Sequence, residues 1–183
     1  MRRRISLTLV LLTAMLVCLA PRIHAQRNDN ALSEAEVEQL RDAAYVPRDR
    51  VLVYIKFLDE RSNSLRDLYA HPRKPGREQD THDLLEQFTS IANELEDNLD
   101  DYSNRHSDIR KSLPKLLDAT ERWASILRTP PDNEAYNVSR KLALDAIRDL
   151  REDTTDLIES QKTWFAAHPP AKEDKNAPMD IPR

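Results

Sequence analysis

Apolar residues recur along most of this chain at intervals of three and four, the spacing that lines one face of an α-helix. Val51, Tyr54, Ile55, Leu58, Ser62, Leu65 and Tyr69 make a first stripe. It predicts an amphipathic helix that starts at Pro47, where a missing N–H costs nothing, and ends near Ala70. Leu84, Leu85, Phe88, Ile91, Ala92, Leu95, Leu99 and Tyr102 make a second, opened by Glu78 and Asp80, whose charges suit a helix N-terminus. The spacing continues through His106, Ile109, Leu113, Leu116, Thr120, Trp123 and Leu127. The last stripe holds Tyr136, Ala143, Ile147, Leu150, Leu157 and Trp164, interrupted in the same heptad phase by Arg140, Thr154 and Gln161. Polar groups so placed snorkel to solvent, sit at a bundle end or fix helix register.

Local signals set the boundaries. Ser33-Glu34-Ala35-Glu36 is a capping box, so a short helix is expected from there to about Tyr45. The stretch from His71 to Arg77 holds two prolines and Gly76 and reads as a loop. Thr129-Pro130-Pro131-Asp132 breaks the chain again and is expected to cap the last helix. Residues 78–128 allow two readings, one long helix kinked near Pro114 or two helices joined by a turn at 103–107. The polar run from Asp100 to Asp108 favours the turn, as does the length of about 75 Å that a straight helix would reach at 1.5 Å per residue.

Consecutive helices with short connections pack antiparallel. The expected fold class is therefore all-α, an antiparallel up-down bundle of about four long helices over residues 33–168, with a short N-terminal helix folded against one end. Composition agrees: Gly76 is the single glycine in 183 residues, and sheet proteins need glycine at turns and bulges. Charged residues are 33% of the chain and the mean hydropathy is −0.71, values that suit long solvated helices.

The N-terminus reads as an export signal, with basic Arg2-Arg3-Arg4, an apolar run from Ile5 to Ala20, and cleavage after Ala25. The run is shorter than the roughly 20 residues a membrane-spanning helix needs, so a membrane is a partner only if the N-terminal segment stays uncleaved. Cys18 has bulky neighbours where lipidated signals favour small ones. Residues 26–32 are expected to form a disordered leader and 169–183 a disordered, proline-rich and charged tail. Loss of residues 1–25 removes four arginines and no acid. The 28 basic residues fall to 24 against 32 acidic ones, a net charge of −8. An acidic surface disfavours nucleic acid. Cys18 is the only cysteine, so neither a disulfide nor a thiolate metal site is expected in the processed chain.

Two clusters are candidates for binding. In the predicted topology the 71–77 loop and the 129–132 turn share an end, which brings His71, Glu78, Asp80 and His82 toward Asp132 and Glu134. His71, Glu78 and His82 form a candidate divalent-metal set, with Glu78 and His82 on one helix face at i, i+4. Di-iron bundles use Glu-x-x-His instead, which this chain lacks. Arg105, His106, Arg110, Lys111 and Lys115 form a candidate ligand set for a phosphate, a lipid headgroup or an acidic segment. The plainer alternative is a solvated face paired with Asp101, Asp108 and Asp118. Trp123, Trp164, Tyr54, Tyr69 and Phe88 read as packing residues. Asn137-Val138-Ser139 matches a glycosylation acceptor but falls on a predicted helix.

No serine elbow, phosphate-cradling glycine loop, His-Glu-x-x-His or cysteine nucleophile occurs, and no cofactor is implied. The expectation is a non-enzymatic periplasmic or secreted protein that binds an unknown protein partner or itself as a homo-oligomer. The alternative is a sensor or carrier of a small ion or anion at a bundle end.

Overall fold

The computed structural model describes residues 31–169. The expected signal peptide, residues 26–30 of the leader and the tail from residue 170 lie outside the described residues. The chain forms α1 (Glu34–Asp42), a 3-10 turn (Ala43–Tyr45), α2 (Pro47–Ala70), α3 (Arg77–Asn104), α4 (Leu113–Leu127) and α5 (Asn137–Ala167).

Each boundary has a local cause. The Ser33 hydroxyl accepts from the Glu36 amide at 3.3 Å, while the Ser33 amide donates to the Glu36 carboxylate at 2.7 Å, so the capping box forms in both directions. Pro47 occupies the first turn of α2. Gly76 precedes α3 at φ 86, a conformation that side chains with a Cβ resist. The 78–128 stretch is two helices: α3 ends at Asn104, His106 reverses the chain at φ 53, and Pro114 sits in the first turn of α4 rather than at a kink.

Two expectations need correction. Asp132 does not cap α5, which begins at Asn137 behind Tyr136 with no side-chain cap; Asp132 pairs with Arg140 instead. Ala31 and Leu32, assigned to a leader without structure, pack against the core, and the Ala31 carbonyl accepts from Arg61 at 2.9 Å.

Cross-helix pairs fix the topology. Tyr54 with Glu94, Arg61 with Gln87, and Tyr69 with Thr81 run α2 antiparallel to α3. Glu121 with Arg151, and Ile109 just ahead of α4 with Gln161, do the same for α4 and α5. The two hairpins then meet with α3 parallel to α5, through His82 and Ser139, and α2 parallel to α4, through Asp59 and Trp123. Although consecutive, α3 and α4 are not packed neighbours, and the 105–112 link crosses a diagonal of the bundle.

That diagonal is filled by large side chains. The Phe88 and Trp123 rings meet edge to face at 5.6 Å, with Val51, Leu58, Ile91, Leu95, Leu116 and Leu150 fully buried around the same axis. Each such aliphatic side chain stabilises the fold by about 1.5–3 kcal/mol relative to its exposed state. Trp123 therefore packs at the centre of the core. Among the described residues no helix is long and apolar enough to cross a membrane.

Candidate functional site at the 105–112 link

Parallel packing of α3 and α5 brings their C-termini to one end, where the last carbonyls of both helices leave partial negative charge. The starts of α2 and α4 lie at this end too. Gln161, only 5% exposed, fastens the link. Its Oε1 accepts from the Ile109 amide at 3.2 Å, and its Nε2 donates to the Ser107 carbonyl at 2.7 Å. Arg140 does the corresponding work at the opposite end of α5, donating to the Pro130 carbonyl and pairing with Asp132. Thr154, between them, turns its hydroxyl back onto the Leu150 carbonyl at 2.6 Å.

With the link held in this way, the imidazole of His106 stacks on one face of the Trp164 indole, centroids 3.6 Å apart and planes within 13°. His168, at the end of α5, covers the other face at 3.9 Å and 19°. Beside Trp164 in sequence, the Phe165 ring centroid lies 4.2 Å from the Arg110 guanidinium. Ser103, His106, Ser160, Gln161, Trp164 and Phe165 line a shallow cleft of about 170 Å³.

The five basic residues proposed from sequence do not converge on one point. Arg105 pairs with Asp101. Arg110 grips Asp108 with two bonds of 2.9 and 2.7 Å, and this guanidinium is the main cause that holds the Asp108 carboxyl below its usual range. His106 faces Trp164, and Lys111 and Lys115 are exposed. Around two helix C-termini, such cations compensate the helix ends and their acidic neighbours.

At the opposite end the structure does assemble residues from α2, α3 and α5. Tyr69 donates to Tyr136 at 3.0 Å, and Tyr136 to the Pro131 carbonyl at 2.7 Å. The metal candidates nevertheless have separate partners. His71 Nδ1 lies 2.9 Å from the Asp67 carbonyl, Glu78 pairs with Arg73 at 3.0 Å, and His82 lies between Ser139 at 2.8 Å and Glu86 at 3.0 Å. Among the described residues no group of three or more His, Cys, Asp or Glu is arranged to hold a metal. Ser139, His82 and Glu86 follow the order of a nucleophile, base and carboxylate. Ser139 is only 5% exposed, however, and its hydroxyl links α5 to α3 through the partly exposed His82. Asn137 is likewise engaged, its Oδ1 accepting from Asn133 and Arg140.

Sequence reasoning missed the sandwich on Trp164. Half of it was available, because Trp164 and His168 are four apart on one helix. The other half depends on how the diagonal link returns to α5. Large apolar side chains also remain exposed, Tyr45 at 93% with Val46 at the start of α2, Val37 on α1, and Val138 with Leu142 on α5. Comparison with family models, curated proteins and solved structures finds no match.

Proposed function

We propose that this is an exported helical-bundle protein that acts by protein–protein interaction or self-association and carries out no catalysis. The observation that supports this most is Tyr45. Its ring stands 93% exposed on the 3-10 turn, next in sequence to the exposed Val46, at the same end as the Trp164 sandwich. Aromatic residues are enriched where interfaces form, and contiguous exposed apolar surface marks such sites.

Light scattering and crosslinking of the processed chain test this, with Tyr45→Ser as the comparison. The expected result is a mass above that of the monomer, or a defined crosslinked partner, and loss of either in Tyr45→Ser at unchanged melting temperature. A strict monomer that crosslinks to nothing argues against the proposal, as does association indifferent to Tyr45. Cell fractionation tests the location separately: the chain is expected outside the cytoplasm, beginning at Gln26.

An ion or anion at a bundle end has less support, because Arg105, Arg110 and Glu78 already have partners of opposite charge. Thermal melts with divalent metals and phosphate address it, since a ligand at 100 times its Kd adds about 2.7 kcal/mol.

A further inference from the structure

The geometry points to a proton-operated clasp: His106 and His168, stacked on opposite faces of Trp164, fasten the 105–112 link to the end of α5 more tightly when protonated than when neutral. This inference is independent of the binding role proposed above. A neutral imidazole attracts an indole face by dispersion, and an imidazolium adds the electrostatic attraction between a cation and the ring quadrupole. Both imidazoles also lie at helix C-termini, His168 at the end of α5 and His106 just past the end of α3, where positive charge is favoured. Histidine gains its proton between pH 5 and 8, a range in which other ordinary side chains keep their charge.

The surroundings leave these two groups as the variable ones. Among the described residues, the charged groups of the elements that meet here include Asp101 and Arg105 from α3, Asp108, Arg110 and Lys111 from the link, Lys115 at the start of α4, Arg48 and Asp49 at the start of α2, and Glu159 and Lys162 from α5. Arg48 of α2 interacts with Asp108. Arg105 pairs with Asp101, Arg110 with Asp108, and Lys162 with Glu159. Lys111 and Lys115 oppose added positive charge, and the two imidazoliums repel each other across the indole they share. The clasp therefore tightens chiefly with the first proton. His106 occupies φ 53, a conformation stable only while its neighbourhood holds it there, so a weaker stack releases the link from this residue outward.

Hydrogen exchange of residues 105–112 and tryptophan emission, both followed from pH 5 to 8, test the proposal on the full processed chain. Exchange measured at each pH is corrected for its intrinsic rate. In the wild type, acidification is expected to slow corrected exchange in the link roughly two- to fivefold and to quench emission from Trp164. Trp123, buried against Asp59, supplies a constant background. His106→Gln with His168→Gln is expected to flatten both responses. His106→Gln alone is expected to lose the exchange response while keeping part of the quench from His168. Corrected exchange in the wild type that does not change with pH overturns the clasp, as does an undiminished response in the double variant. Should the double variant fail to fold, the histidine ring protons of the wild type decide. Upfield displacement by the indole that deepens on protonation supports the clasp, and displacement that stays constant or shrinks overturns it.

Discussion

The indole nitrogen of Trp123 donates a 2.7 Å hydrogen bond to the carboxylate of Asp59, joining α4 to α2 across 64 residues of sequence. Arg122 reaches the same carboxylate at 3.2 Å from the rim. The arrangement explains how the largest side chain in the core can be buried without leaving its one polar atom unpaired, since a tryptophan N–H without a partner carries a desolvation cost. It also sets the offset of two parallel helices that no short loop connects.

Asp59→Ala should therefore lower stability by about 1–3 kcal/mol, a fall of about 2–4 °C in melting temperature per kcal/mol for a chain of this size. Asp59→Asn retains an acceptor and should cost less than half as much. Thermal unfolding followed by circular dichroism compares the two. Equal losses would mean that the charge pairing with Arg122, and not the bond to the buried indole, carries the effect.

A second prediction concerns the N-terminal helix. Burial alone would raise the Glu36 carboxyl, but hydrogen bonds from Arg61 and from the Ser33 amide and hydroxyl overcome it and bring the pKa from an ordinary 4.5 down to about 2. Glu36 is 8% exposed, and its carboxylate meets Arg61 at 2.7 Å. A folded pKa below the unfolded one contributes stability that is complete above pH 4.5 and is lost as the pH falls toward 2. The linkage is on the order of 2–3 kcal/mol, limited by what it takes to detach α1 alone. Amide exchange in residues 34–42, corrected at each pH for its intrinsic rate, should accelerate between pH 4.5 and 2.5 ahead of the bundle, and Glu36→Gln should show that acceleration already at pH 7.

The opposite sign is expected between α3 and α5. Burial raises both Glu96 and Asp153 from ordinary values of 4.5 and 3.8, and the charges of Asp149 and Asp100 push each of them further up. Glu96 also feels Asp153 directly. Groups whose folded pKa is raised bind protons more strongly in the folded state, so ionising them costs stability as the pH climbs past 4, and that cost persists at neutrality. Asp153→Asn should accordingly stabilise the protein at pH 7 by about 0.5 kcal/mol, a degree or two in melting temperature. The gain should vanish near pH 3.5. A loss at pH 7 would show that the shared hydrogen bond outweighs the repulsion.

The parts of this architecture that were legible in the sequence are those written locally. Pro47 marks a helix start and Gly76 the loop before one because their own backbone chemistry restricts where they fit, and the Ser33 box closes within four residues, whereas Pro114 reads equally as a kink. The register of the bundle was not legible, because consecutive α3 and α4 resemble a hairpin in sequence and only the packed core shows that their link runs diagonally. The same long-range dependence hid the sandwich on Trp164. In sequence His106 groups with the cations that flank it, whereas its contact is made with a residue on a different helix. Asp132 misled for the converse reason: a strong capping residue beside two prolines was diverted to Arg140, and α5 began later without a cap.

The polar residues on the α5 stripe supply the last prediction. Gln161 lies where a leucine would satisfy the heptad, and its amide instead completes the backbone of a link that has no regular structure, taking the Ile109 N–H and supplying a donor to the Ser107 carbonyl. Ile109 is fully buried, so its amide has no access to water if the glutamine is lost. Gln161→Leu preserves the apolar volume and leaves both backbone groups unpaired, which should cost about 2–4 kcal/mol. Gln161→Glu keeps the acceptor for Ile109 and loses the donor to Ser107, so it should fall between the two. At a fixed pH the Ile109 amide should exchange far faster in Gln161→Leu than in the wild type, while amides in the middle of α2 change only as much as global stability does. If the Ile109 amide tracked global stability in both proteins, the link would be held by its apolar contacts, and the glutamine would serve only to tolerate burial.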